Sequence, residues 1–453
     1  MNREELKTAV CEAIDQQRDR VIALGEAVMD RPELGFKETA TARLVSDTLA
    51  ELGLACEEGL ALTGVRAILR TARPGPTLAL LAELDAVLVP DHPRADPVTG
   101  AAHACGHNAQ VAGLLGAAIG LVQSKAAGHL AGQVVFFAVP AEEYVEIEYR
   151  LGLVRQGKTT FLAGKPELVR LGYFDEVDLA MMIHSSSPEW GDGAAGVAVS
   201  SNGFLAKSIR FIGRAAHAGG SPERGTNALQ AATLALAAIN AQRETFRDQD
   251  CVRVHPIITR GGDLVNIVPA DVRLETYVRA RTAEAMMDAA GKVDRALRGA
   301  AIALGCRVEI DTVPGYLPLR NDPDLAALFR TNAGRLFGTD ALREYPHSGG
   351  STDAGDLSQI MPVLHPAMSG ATGSVHGVDW RISDPEAGYV APAKTLAMMA
   401  VDLLHGEAAE ARRIVTHNRP AMTREAYLEQ QRALFHRETF DGAAAGPGKG
   451  EQP

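Results

Sequence analysis

"QVVFFAVP", residues 133–140, is an unbroken apolar run that stops at a proline and passes directly into the acidic pair Glu142 and Glu143. A run this short, bounded by a turn signal and rich in β-branched and aromatic side chains, reads as a strand buried on both faces. Two runs of the same kind flank it, "TLALLAEL" at 77–84 and "VDLAMMIH" at 177–184. Helical segments such as 109–123 separate the three, so the expected architecture is α/β with a mainly parallel sheet. What leaves each strand carries chemistry: Glu83 and Asp85 from the first, Glu142 and Glu143 from the second, His184 from the third. Ligands of open α/β sheets collect beyond the carboxyl ends of the strands. One sheet edge is therefore expected to gather carboxylates and imidazole.

The stretch "HACGHNAQVAGLLGAA", 103–118, adds His103, Cys105 and His107 just ahead of a small-residue helix. The H-x-C-x-H spacing puts alternate residues on one side of an extended segment, where any two can hold one ion. A thiolate and a neutral imidazole suit a borderline-soft divalent metal. Adjacent carboxylates repel, so one of Glu142 and Glu143 is expected on a cation while the other stays free to move protons. A metal that acidifies water beside a carboxylate base makes amide hydrolysis the natural reaction. A cysteine hydrolase using Cys105 with His103 or His107 competes with it, since a helix N-terminus favours the thiolate. A non-catalytic binding protein is the third reading. His365 and His376 both lie where the chain returns to this domain, and spacing does not choose between them.

A chain of 453 residues exceeds one ordinary core, and 46% hydrophobic with 22% charged residues is a globular composition. The net charge of -11, without a basic stripe, argues against nucleic acid and acidic membrane surfaces as partners. No apolar run approaches membrane-spanning length and the opening residues show no signal-peptide core, so the expected compartment is the cytoplasm. Besides Cys105, the scattered Cys11, Cys56, Cys251 and Cys306 read as free thiols. Near residue 200 the pattern changes to β-α-β-β-α-β, the order of a ferredoxin-like α+β domain. The expected layout is a discontinuous catalytic domain, 1–198 and 313–437, around an inserted domain at 199–312, with a disordered tail at 438–453.

Seven ordered motifs carry a resemblance: "ELDA" (83–86), the 103–118 stretch, "VPAEE" (139–143), "VDLAMMIH" (177–184), "GRAAHAGGSPERGTNAL" (213–229), "LVNIVPA" (264–270) and "GSTDAGDLS" (350–358). Together they resemble the metal-dependent amidohydrolases and carboxypeptidases of the aminoacylase and glutamate-carboxypeptidase superfamily. The nearest branch is similar to the auxin-conjugate, hippurate and aminobenzoyl-glutamate hydrolases. The resemblance implies two divalent ions, zinc or manganese, bridged by Cys105, with His107, Glu143, His184 and His376 as the other ligands and Glu142 as general base. It implies that Asp85 orients a ligating histidine and that Glu83 stands where many relatives have aspartate. It implies that the inserted domain forms a dimerisation and lid module in a homodimer, with His217 reaching the partner subunit's site to stabilise the oxyanion. Asn266 and Arg279 would bind the substrate's carboxylate or carbonyl, with Arg281 and Arg224 as weaker alternatives. The substrate class implied is an N-acyl or N-aroyl amino acid, or a dipeptide. Two features depart from the commonest pattern. Asn108 and Gln110 replace an aspartate and a histidine, which is closer to the aminobenzoyl-glutamate type. The 144–178 segment, with Glu146, Glu148 and Arg150, is longer than usual and is expected to shape the pocket or the dimer edge.

Overall fold

The computed structural model describes residues 1–444 and divides into two compact units. The first comprises Met1–Ser200, Leu319–His347 and Asp356–Arg424; the second comprises Ser201–Pro318, Ser348–Gly355 and the chain from Glu425.

The first unit is built on a six-stranded sheet in the order Cys56–Leu60, Gly64–Arg70, Ala131–Val139, Arg73–Glu83, Leu179–Met181, Val363–Leu364. The last four run parallel to one another, and the first two form an antiparallel hairpin on the edge. The apolar runs read from the sequence are the central strands, buried because helices cover both sides. Helix His107–Gln123 is buried almost all round and packs against helices Arg18–Met29 and Ala391–Leu404. It starts at Gly106, whose φ of 87° lies in the left-handed region that glycine adopts without a Cβ penalty. That sharp entry lets Cys105 and His107 face the carboxyl ends of the strands while the helix behind them stays in the core.

The second unit carries an antiparallel sheet in the order Arg253–Arg260, Asp271–Ala280, Gly203–Ile212, Arg307–Pro314, His436–Asp441. Helices Ala228–Ala241 and Ala283–Leu304 pack on it and on each other, which completes the ferredoxin-like β-α-β-β-α-β order. The tail differs from the sequence expectation. Residues from 438 to Asp441 complete an edge strand paired with Arg307–Pro314, tied by the Arg298–Glu438 ion pair at 2.6 Å. Alternation in "HRETFD" is too polar to reveal a strand without its partner. Residues 445–453, the rest of the expected tail, lie outside the described residues. Among the described residues no helix is long and apolar enough to cross a membrane.

Candidate metal centre

The carboxyl ends of the parallel strands place Glu83, the Glu142–Glu143 turn, His184 and His365 at one edge, facing the start of helix His107–Gln123. Three donor groups form there, each with its atoms within 4.8 Å of one another: Cys105 with His107 and His184, Cys105 with Glu143 and His376, and Glu83 with His107 and Glu142. Cys105 belongs to the first two. Its Sγ lies 3.4 Å from His184 Nε2, and His376 Nε2 lies 3.2 Å from Glu143 Oε1. His376, half exposed at 51%, enters from a turn with φ 62°.

Asp85 ties the His107 ring to the backbone of Glu143. Its carbonyl accepts from His107 Nδ1 at 2.9 Å, which points Nε2 into the cluster, and its Oδ2 accepts from the Glu143 amide at 2.8 Å. Burial leaves His107 Nε2 and Glu143 Oε1 with no aligned hydrogen bond. Buried polar atoms without such a partner are costly, and here they converge with a thiol and carboxylates. The donor set therefore fits divalent metal ions.

Mutual electrostatics hold the cluster ionised. Burial and Glu143 push the Cys105 thiol up, but His184 and His107 outweigh them and hold it at about 6. Burial opposes ionisation of Glu143, and His376 reverses this, holding the carboxyl at about 2. Glu143 in turn lifts His376 to about 11. Burial lowers His107, yet Glu83 and Cys105 raise it well above the ordinary imidazole range. His365, whose ring is 5.7 Å from that of His184, is pushed down to about 3 by burial and His184. His103 is also buried and pushed down to about 3, by burial and His107.

Glu83 is a buried member of this cluster, within 3.1 Å of His107 Nε2. Sequence reasoning missed its partner Lys165 and also Glu38. The Glu38 carboxylate accepts from the Ala141 amide at 2.8 Å and the Thr63 hydroxyl at 2.6 Å, behind the acidic turn. Its segment reads only as the start of an amphipathic helix, so no local signal marks it. Burial and then Asp85 push Glu38 from 4.5 up to about 7. A folded pKa above the unfolded one gives stability that is fully present below pH 4.5 and lost as pH rises through 7. Glu38→Gln keeps one acceptor oxygen for the Ala141 amide, turns the other into an N–H donor that the Thr63 hydroxyl oxygen can accept from, and removes the charge. Urea unfolding should show stability falling less between pH 5 and 8 than in wild type, by about 2–3 kcal/mol; identical pH slopes would contradict this origin.

The remaining expected site residues lie in the second unit. His217 and Asn266 are both exposed and adjacent, joined by the Ala218 amide donating to the Asn266 carbonyl at 2.9 Å. The Arg279 guanidinium lies 5.4 Å from the ring centres of Phe204 and of Tyr277 and donates to Ser351 Oγ at 3.1 Å.

Residues 79–401 match the sequence pattern of Peptidase family M20/M25/M40. The chain belongs to that family. It is accordingly an enzyme, a hydrolase of peptide and related amide bonds. The mouse Xaa-Arg dipeptidase is 28% identical to this M20 hydrolase, with 88% of this chain and 89% of the relative aligned. One of the p-aminobenzoyl-glutamate hydrolase subunits of Escherichia coli (strain K12) is also 28% identical, over 77% of this chain and 79% of the relative. A solved aminobenzoyl-glutamate utilization protein from Klebsiella pneumoniae shares the fold, with TM-score 0.65 at 22% identity over 86% of this chain and 98% of that one.

Proposed function

We propose that this M20 hydrolase is a metal-dependent amidohydrolase that removes an acyl or aroyl group from an amino acid with a free carboxylate, or splits a dipeptide. The observation that carries the reading is the sharing of Cys105 between two donor triads. A thiolate common to both is suited to bridge two ions, with His107 and His184 on one side and Glu143 and His376 on the other. Mixed sulfur, nitrogen and oxygen donors suit zinc or manganese. When bound, such ions polarise the amide carbonyl and acidify water.

Glu142 takes the proton of the attacking water and returns it to the leaving amine. It shares the turn of Glu143 and stays outside the two Cys105 triads. Asp85 keeps His107 and Glu143 aimed by the two hydrogen bonds described above. Arg279, already oriented by Phe204, Tyr277 and Ser351, presents a planar fork to the substrate carboxylate. Asn266 binds the same carboxylate or the carbonyl, and His217 stabilises the oxyanion of the partner subunit's site. A homodimer is supported by the outer strand Arg253–Arg260 with exposed Ile257 and Ile258, and by exposed Leu264, Val265 and Ile267 around Asn266. The cytoplasm is the compartment this reading assigns, with no nucleic-acid or membrane partner.

Cys105 beside His184 is the observation that favours a thiol nucleophile as the second reading. Its position within both donor triads favours the ligand role.

The reading is tested with N-acetyl, N-benzoyl and p-aminobenzoyl derivatives of glutamate and aspartate, and with dipeptides, each assayed with Zn²⁺ and with Mn²⁺. At least one free-carboxylate substrate should be cleaved, and its α-carboxamide counterpart should lose about 10–100-fold in kcat/KM through the missing charge-assisted hydrogen bonds. Equal cleavage of acid and carboxamide, or no cleavage across the series, would overturn it.

A further inference from the structure

The 144–178 segment folds into helices Ile147–Arg155 and Gly164–Leu171 and carries two buried cations that the chemistry above does not use. Arg150, only 1% exposed, donates to the Ala141 carbonyl at 3.2 Å and the Leu162 carbonyl at 2.6 Å, and also to the Glu143 carbonyl. It thereby grips both ends of the turn that presents Glu142 and Glu143. That turn is strained: Ala141 has φ 56°, in the left-handed region that a non-glycine residue keeps only where its surroundings hold it.

The second cation is set in place by a close backbone approach. A Cβ at Gly164 would lie 1.7 Å from the Pro140 carbonyl oxygen, so only glycine lets the second helix start against the same turn. The next residue, Lys165, is 0% exposed, and its ammonium lies 2.6 Å from Glu83 Oε1. Glu83 Oε2 accepts from Gln110 Nε2 at 2.7 Å and lies 3.1 Å from His107 Nε2. A buried ammonium in the first turn of a helix opposes the helix dipole and is expensive to desolvate. Packing alone would not select it. Burial disfavours the charge on Glu83, and Lys165 with His107 more than reverses this.

We propose that the 144–178 segment is a buried cationic clamp on the metal centre: Arg150 fixes the turn bearing Glu142 and Glu143, and Lys165 fixes Glu83 against His107. The inference rests on the metal-dependent reading above. Both cations are positioning residues that act through the side chains they hold. Their function is to keep a dense group of carboxylates assembled in the geometry that ions require, before any ion arrives. It also gives Gln110 a purpose, since its amide spans Glu83 through both its nitrogen and its oxygen.

The test uses the full chain, stripped of metal and titrated with Zn²⁺ alone against a chromophoric chelator, with kcat and KM measured separately. The variants are Arg150→Lys, Lys165→Met, and the charge-neutral pair Glu83→Gln with Lys165→Met. Each should bind Zn²⁺ about 10–100-fold more weakly and lose kcat with little change in KM. The neutral pair should recover the metal-free melting temperature that Lys165→Met loses, without recovering ion affinity, a split that a purely structural ion pair would not produce. Wild-type affinity and kcat in Arg150→Lys and in the neutral pair would overturn the clamp. If a single variant fails to fold, the neutral pair decides. Failure of the underlying reading is separate, because wild type itself would then bind no Zn²⁺.

Discussion

Glu142→Gln should retain its ions and lose about 10²–10⁴-fold in kcat, the span expected when a general base is removed. Glu142 is 7% exposed, on the turn held by Glu38, Asp85 and Arg150, and its Oε2 is 3.9 Å from His107 Nε2. It is close enough to the proposed ligands to take a proton from water there, yet absent from both Cys105 triads. Glutamine keeps the shape and the acceptor oxygen but cannot carry the proton. Elemental analysis beside steady-state kinetics separates the roles. Unchanged kcat would remove Glu142 as base, whereas loss of metal along with activity would place it among the ligands, through the Glu83, His107 and Glu142 group.

Chelation should reduce turnover to background and lower the melting temperature by several degrees, and added Zn²⁺ or Mn²⁺ should restore both. The stability effect follows from linkage: ligands that bind only the folded state stabilise it, by about 4 kcal/mol when present at a thousand times their dissociation constant. Without ions the buried cluster keeps ionised Glu143 and the Cys105 thiolate packed together, with histidines as the nearby compensation. Alkylation of Cys105 would not distinguish a ligand from a nucleophile, since either role is lost. Reactivation by metal does distinguish them. Chelated protein that keeps its melting temperature and turnover would contradict the ligand role.

The central strands of the first unit's sheet were legible because they are nearly all apolar and lead directly into chemically distinctive residues. Periodicity assigned "TLALLAEL", "QVVFFAVP" and "VDLAMMIH" to strands, and their order placed Glu83, Glu142, Glu143 and His184 at one edge. The β-α-β-β-α-β order of the second unit was equally readable, because turn residues interrupt alternating segments there. The choice between His365 and His376 was not readable from spacing. The left-handed turn at His376 brings that residue to Glu143, a backbone feature that residue spacing does not encode. Glu83 was legible as a carboxylate at the end of its strand, but a single carboxylate gives no hint of its partner. Lys165 lies 82 residues away in sequence, inside a segment expected only to shape the pocket or the dimer edge. The final strand escaped notice for a related reason: "HRETFD" is a strand only because Arg307–Pro314 offers it an edge.

The most direct test is turnover of the chelated chain against added equivalents of Zn²⁺ or Mn²⁺, with bound metal measured in the same samples. A dinuclear centre bridged by Cys105 predicts no turnover in metal-free protein and a rise that levels off at two ions per chain. Full turnover in protein that contains no divalent ion would contradict it.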